Sequence, residues 1–257
     1  MTKGIMAKKK RPRNFLIFRK PRNRAILGLN NIFVLNELSI NALFSAKKKL
    51  ETDKNSRLDF EVPSVNGDFV TTARKRTKII RLLNDAIDEG LAKSSIVSAV
   101  AITENYLAEM LGLVLRAFPD KLKGHDKKIE LELVLNSDNL DNLVLEIIDR
   151  QIHSVFFAGP EKYFQYVENT LSIKIPESSK VRYAEVKATR DLIVHNEGVI
   201  NATYFRKAGK LARGKEGDTI PVDEMYFDPA IRTMKKLVNV IYSRSLKKFG
   251  DNKEFAF

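Results

Sequence analysis

This sequence predicts an all-α fold, on three observations. The first is a stripe of apolar residues at helical spacing, Ile79, Leu82, Leu83, Ala86 and Ile87, closed by Gly90. The second is a longer segment holding Ile96, Val97, Val100, Leu107, Leu111, Val114 and Leu115 before a stop at Pro119. It is apolar enough to be the central helix of a core. The third is how little period-two alternation follows Thr71. It is confined to Ile129 through Leu135, which fits a strand or a helical start alike.

Taken in order, residues 1–24 hold ten Lys or Arg and no acid, whereas residues 25–257 hold 35 basic and 32 acidic residues. The net charge of +13 is therefore mostly an N-terminal feature. Residues 1–24 are expected to be a disordered basic arm, suited to phosphate backbones or anionic surfaces, or serving only as a solvated tail. Residues 25–70 are expected to hold one helix from Asn30 to Lys49, then a connection with a short strand or hairpin around Pro63 and Asn66-Gly67.

Residues 71–249 form the main helical domain in this reading. Ser94 or Ser95 caps the central helix, and Ser137 or Asp138 caps the next, which runs through Ile147, Ile148 and Ile152 to Gly159-Pro160. A shorter helix from Pro160 to Leu171 packs Tyr163, Phe164 and Val167 inward. Another runs from about Pro176 to Gly198, a C′ glycine. Asn201 caps a short helix ending at Gly209, a basic loop spans Lys210 to Gly217, and a last helix occupies Asp228 to Lys248.

With no cysteine, disulfides, thiolate metal sites and a cysteine nucleophile are excluded. The three histidines, His125, His153 and His195, are too dispersed to suggest a metal site, and no cofactor is expected. The apolar runs are expected to be too short for a membrane span, and Phe15-Leu-Ile-Phe18 too short for a secretory signal. The chain is accordingly expected to be cytoplasmic, without a membrane partner.

The chemistry concentrates in Arg190, Asp191 and His195, within one and a half turns of an otherwise apolar helix. A guanidinium holds phosphate oxygens with a planar fork of donors, and an imidazole moves protons near neutral pH. Asp191 precedes His195 by four residues, so the two are expected to touch and the carboxylate to orient the ring. Arg190 and His195 diverge by about 140° on an ideal helix. One copy converges poorly on one phosphate, and the helix is apolar on two sides. A homodimer that buries this helix is expected to complete the site. Of the other candidates, Glu104 is expected to pair with Arg190 or another base, Asn196 and Asn201 to cap helices, and His125 and His153 to be without function.

The Arg-x4-His pattern, with a polar residue after Arg190 and the run Asn196, Gly198-Val-Ile-Asn201-x-x-Tyr204, resembles the HEPN superfamily of helical nucleases and nucleotide-binding domains. Ala99 to Pro119, with Glu104 inside, looks like that family's first bundle helix, and Gly159 to Leu171 like the helix before the motif. The resemblance spans roughly residues 90–249. The family prefers Asn after the Arg, where this chain has Asp191.

The resemblance implies an HEPN-like bundle that cleaves RNA without a metal. In that chemistry a ribose 2′-OH attacks the adjacent phosphate, leaving a 2′,3′-cyclic phosphate and a 5′-OH. His195 would be the general base or acid, Arg190 the phosphate clamp, and Asp191 the residue that orients His195. Asn196, Glu104, Lys210, Arg213 and Lys215 would support the site or contact RNA. It further implies a toxin–antitoxin or antiviral defence setting, with an antitoxin or regulatory partner. Two other readings stand beside it. One is a non-catalytic HEPN-type module that binds a nucleotide or partner. The other is a helical nucleic-acid binder whose function lies in the basic arm.

Overall fold

The computed structural model describes residues 12–53, 55–122, 134, 137–156 and 159–255. His125 and the Ile129–Leu133 part of the alternating segment lie outside the described residues. Among the described residues the regular structure is helical apart from one hairpin and an isolated bridge between Val199 and Thr219. Its helices are α1 (Phe15–Thr52), α2 (Arg76–Asp85), α3 (Leu91–Ala117), α4 (Leu140–Phe156), α5 (Pro160–Leu171), α6 (Glu177–His195), α7 (Ala202–Ala208) and α8 (Glu224–Phe249), and the hairpin pairs β1 (Arg57–Pro63) with β2 (Phe69–Lys75).

Helix α3 is the hub. Ile96, Val100, Leu107, Met110, Leu111, Val114 and Leu115 are all fully buried on it. α1, α4, α5, α6 and α8 pack around it. Its start differs from the sequence expectation. Gly90 does not end a helix, because Ala86–Gly90 forms a π-turn that joins α2 to α3 without a break. Gly90 keeps right-handed helical dihedrals there. Neither serine caps the helix. Ser94 Oγ bonds back to the Gly90 carbonyl, and Ser95 Oγ donates to Asn36 of α1.

The larger difference is at the N-terminal end. Arg19, Lys20, Arg22 and Arg24, expected in a disordered arm, lie inside α1, which begins at Phe15 rather than Asn30. Ten like charges obscured the pattern between them, since Phe18, Pro21, Ala25 and Leu29 form a buried line. Phe18 sits in an aromatic cluster, 5.2 Å from Phe255 and 6.3 Å from Phe249 between ring centroids. Asn14 Nδ2 donates to the carbonyls of Phe249 and Asn252 at 2.8 and 2.6 Å. The first described helix is thus clasped to the end of the last. Gly28 makes room for α3, because a Cβ there would stand 2.9 Å from Ile102 Cδ1.

The hairpin is antiparallel, with Phe60 opposite Thr72 and Val62 opposite Val70, and none of its residues is buried. Two helical stretches, Phe15–Thr52 and Arg76–Ala117, are long and apolar enough to cross a membrane by length and composition alone. This corrects the expectation that the apolar runs are too short. Asn, Ser and isolated charges such as Glu37 and Glu104 interrupt the runs without outweighing them, so the average stays apolar where no single run is long. The most apolar window of Arg76–Ala117 is 44% buried and marks a core helix, whereas that of α1 is only 11% buried.

Candidate active site

α6 places the motif. It follows Pro176, and Tyr183, Ala184, Glu185, Val186, Ala188, Thr189 and Leu192 are buried along it, so most of its circumference is covered. It stops at His195. The Asn196 and Gly198 amides both donate to the Leu192 carbonyl at 2.9 Å, and Asn196 Nδ2 donates to the Val199 carbonyl at 2.5 Å. The reversal uses two left-handed residues, Glu197 at φ 51° and Gly198 at φ 78°. Glycine adopts that conformation without strain, and a glutamate there is uncommon.

The motif opens onto a cleft of about 980 Å³ walled by α3, α4, α6 and α7. Glu104, Arg190, Asp191, His195 and Asn196 all line it. Arg190 is held between two carboxylates, donating from Nη2 to Glu104 Oε2 at 2.7 Å with Nη1 3.2 Å from Asp191 Oδ1. Each carboxylate has a second cation: Lys187 pairs with Glu104, and Lys207 donates to Asp191 Oδ2 at 2.8 Å. The result is an alternating ladder, Lys187–Glu104–Arg190–Asp191–Lys207, with three cations against two anions. Behind it, burial pushes the Tyr163 and Tyr183 phenols well above their ordinary range, and the nearby Glu104 charge adds to the effect.

The expected Asp191–His195 pair does not form: among the described residues no hydrogen bond or ion pair joins them. The ladder explains why, since both Asp191 oxygens are already taken by stronger cationic partners. His195 stands exposed at the rim of the cleft.

The basic loop departs from the expectation at Arg213. Lys210 and Lys215 are exposed and do not line the cleft. Arg213 turns inward, donating to Glu185 Oε1 at 3.0 Å, Thr189 Oγ1 at 3.1 Å and the Pro221 carbonyl at 2.5 Å. Its guanidinium lies 3.6 Å from the Tyr226 ring centroid. Glu185 is buried and also accepts from Tyr204 and Tyr226 at 3.1 and 2.9 Å. Arg213 is therefore a fastener between this loop and α6 rather than a free phosphate contact.

The cleft also holds residues the sequence reading passed over. Lys187 and Lys207 carry no motif; Lys207 comes from α7, which Asn201 caps, its side chain accepting from the Tyr204 amide at 3.0 Å. His153, dismissed as functionless, lies exposed on α4 and lines the same cleft, with Asp149 one turn before it. The repeated Asp-x3-His spacing in Asp149-Arg-Gln-Ile-His153 and Asp191-Leu-Ile-Val-His195 was the signal that could have found it.

Compared with protein-family models, with curated proteins and with solved structures, the chain finds no match in any of the three.

Proposed function

We propose that this chain is an HEPN-like endoribonuclease that cleaves RNA by side-chain chemistry alone. The observation that carries the reading is the convergence of Arg190, the carboxylates that hold it, and two imidazoles, His153 and His195, on one cleft. The resemblance of the Arg-x4-His run to the HEPN pattern supports it. One imidazole takes the proton of a ribose 2′-OH as that oxygen attacks its own 3′-phosphate. The bond from phosphorus to the 5′-oxygen breaks, and the other imidazole protonates the leaving oxygen. The products are a 2′,3′-cyclic phosphate and a 5′-OH. Arg190 and Lys207 stabilise charge on the non-bridging oxygens as it grows. The homodimer is part of this proposal: Val194, half-exposed beside His195, is the residue on which a second copy would close the cleft.

The test is cleavage of labelled RNA in EDTA by the purified chain. Wild type is expected to cut, and His195→Ala to lose activity by about two to four orders of magnitude, the usual contribution of one proton-transfer group. Full activity in His195→Ala would overturn the assignment.

A specific observation favours a second reading, a cleft that binds an anion without turnover. Two of the three guanidinium nitrogens of Arg190, Nη2 and Nη1, face Glu104 and Asp191, so a ligand must compete with fixed carboxylates. Under this reading the chain binds RNA or a nucleotide and never cuts it, and Arg190→Ala weakens binding only.

A further inference from the structure

We propose that the outward face of α1 is a docking surface for an anionic lipid bilayer. Helix α1 carries apolar residues on both sides, the outer ones interspersed with the exposed but uncharged Asn30, Asn31, Asn41 and Ser45. Phe18, Ala25, Leu29 and Asn36 face the bundle and are buried, whereas Leu27, Val34, Leu35, Leu38 and Phe44 each keep more than half of their surface exposed. A helix that leaves this many large apolar side chains on its outer face calls for a second neighbour with an apolar layer. Nothing among the described residues covers this outer side.

Charge identifies the neighbour. From Ala25 to Ala46 the only charged residue is Glu37, which is half-buried. That stretch is about 33 Å long at the helical rise. Cations bracket it: Arg19, Lys20, Arg22 and Arg24 stand before it, and Lys47, Lys48 and Lys49 after it. Lys20, Lys48 and Lys49 are exposed. An apolar strip with cations at both ends matches a bilayer carrying anionic headgroups, where leucines enter the acyl boundary and lysines stay among phosphates.

The same charges disfavour other occupants. A second copy laid along α1 brings Lys20 against Lys20 when parallel and against Lys48 or Lys49 when antiparallel. Nucleic acid satisfies the cations but leaves the leucines in water. The shape agrees as well, since the exposed strip is the convex side of a single helix rather than a groove for a peptide.

The chain contains no tryptophan, which makes a direct probe available. The full chain carrying Leu38→Trp is mixed with vesicles of phosphatidylcholine alone or of about three parts phosphatidylcholine to one part phosphatidylserine. A blue shift is expected with the mixed vesicles only, weakening as salt is raised. No shift is expected from Leu140→Trp, an exposed position on α4, which packs on α3 and α5. In sedimentation with the same vesicles, Leu35→Asp and the double change Lys48→Glu, Lys49→Glu should each reduce the bound fraction at least tenfold. Both alter exposed residues, so the melting temperature should hold.

The proposal is overturned if the chain ignores both kinds of vesicle, or binds neutral and anionic ones equally. It is also overturned if Leu35→Asp converts a dimer to a monomer without changing vesicle binding, which would assign the face to a second copy. Because the assay reads no cleavage, it stands apart from the fate of the nuclease reading.

Discussion

Arg213 shows how a side chain's partners decide its role. From the sequence it is one of three cations in a glycine-containing loop, and a phosphate contact is the natural expectation. In the structure its fork is spent on Glu185, Thr189 and Pro221. Removing it would strand a carboxylate that is only 5% exposed. Arg213→Ala is therefore expected to destabilise the fold by about 3–5 kcal/mol, the usual cost of breaking one side of a buried ion pair. Arg213→Lys should recover only part of that, because a lysine cannot supply the fork or lie flat on Tyr226. Urea denaturation of the three proteins checks both statements, and equal midpoints would refute the fastener role. By contrast, Lys210→Ala and Lys215→Ala are expected to leave stability unchanged.

The same distinction governs how much of the site was legible. Arg190, Asp191, His195 and Asn196 could be found because they sit within seven consecutive residues on one helix, where spacing is geometry. Glu104 was reachable as a lone carboxylate in an apolar stretch, which demands a cation. Lys187, Lys207 and His153 were not legible singly. They come from different turns or different helices, and only the packing of α4, α6 and α7 around α3 gathers them. The failed Asp191–His195 contact has the same origin, since proximity along a helix was outbid by a lysine from α7.

At the scale of elements, periodicity and stops located α5, α6, α7, α8 and the body of α3 well, because apolar spacing there runs up to a clear Pro or Gly boundary at one end or both. It failed where charge or continuity hid the signal. The first half of α1 alternates buried apolar residues with exposed cations, and the π-turn at Ala86–Gly90 lets one helical run pass a glycine that looked terminal. A truncation makes the point testable. Had residues 1–24 been a free arm, their deletion would leave the bundle intact. With Phe18, Pro21 and Asn14 buried among α3 and α8, deletion is expected to lower the melting temperature markedly. Phe18→Ala alone should cost about 3–5 kcal/mol, as other fully buried phenylalanines do. Thermal melts followed by circular dichroism decide it. An unchanged melting temperature after deletion would return these residues to the status of a tail.

Across the whole molecule, buried phenols set an alkaline limit on stability. Burial raises Tyr163, Tyr183 and Tyr226 well above the ordinary phenol value of 10.0. The folded state therefore holds protons that the unfolded chain releases once pH passes about 10. Stability from these groups is complete below that pH and falls as pH rises through it. Each tyrosine that stays protonated only in the folded state contributes a slope of up to about 1.4 kcal/mol per pH unit. Denaturant melts between neutral pH and pH 11 should show the loss beginning near pH 10. A flat profile would mean these hydroxyls are reached by solvent.

The clasp between Asn14 and the end of α8 has a consequence for how the protein is made. Its two partners are 235 residues apart in the chain. At a ribosomal rate of about 5–20 residues per second, α1 waits on the order of ten to fifty seconds for α8, whereas α3, against which it also packs, emerges much sooner. During that interval α1 can dock on α3, but Phe18 still lacks the Phe249 and Phe255 rings that cover it. The cleft cannot be finished earlier, because α6 and α7 emerge late and α8 later still. A chain that has not yet reached α6 and α7 has no cleft, and its first helix still lacks the partner at the end of α8.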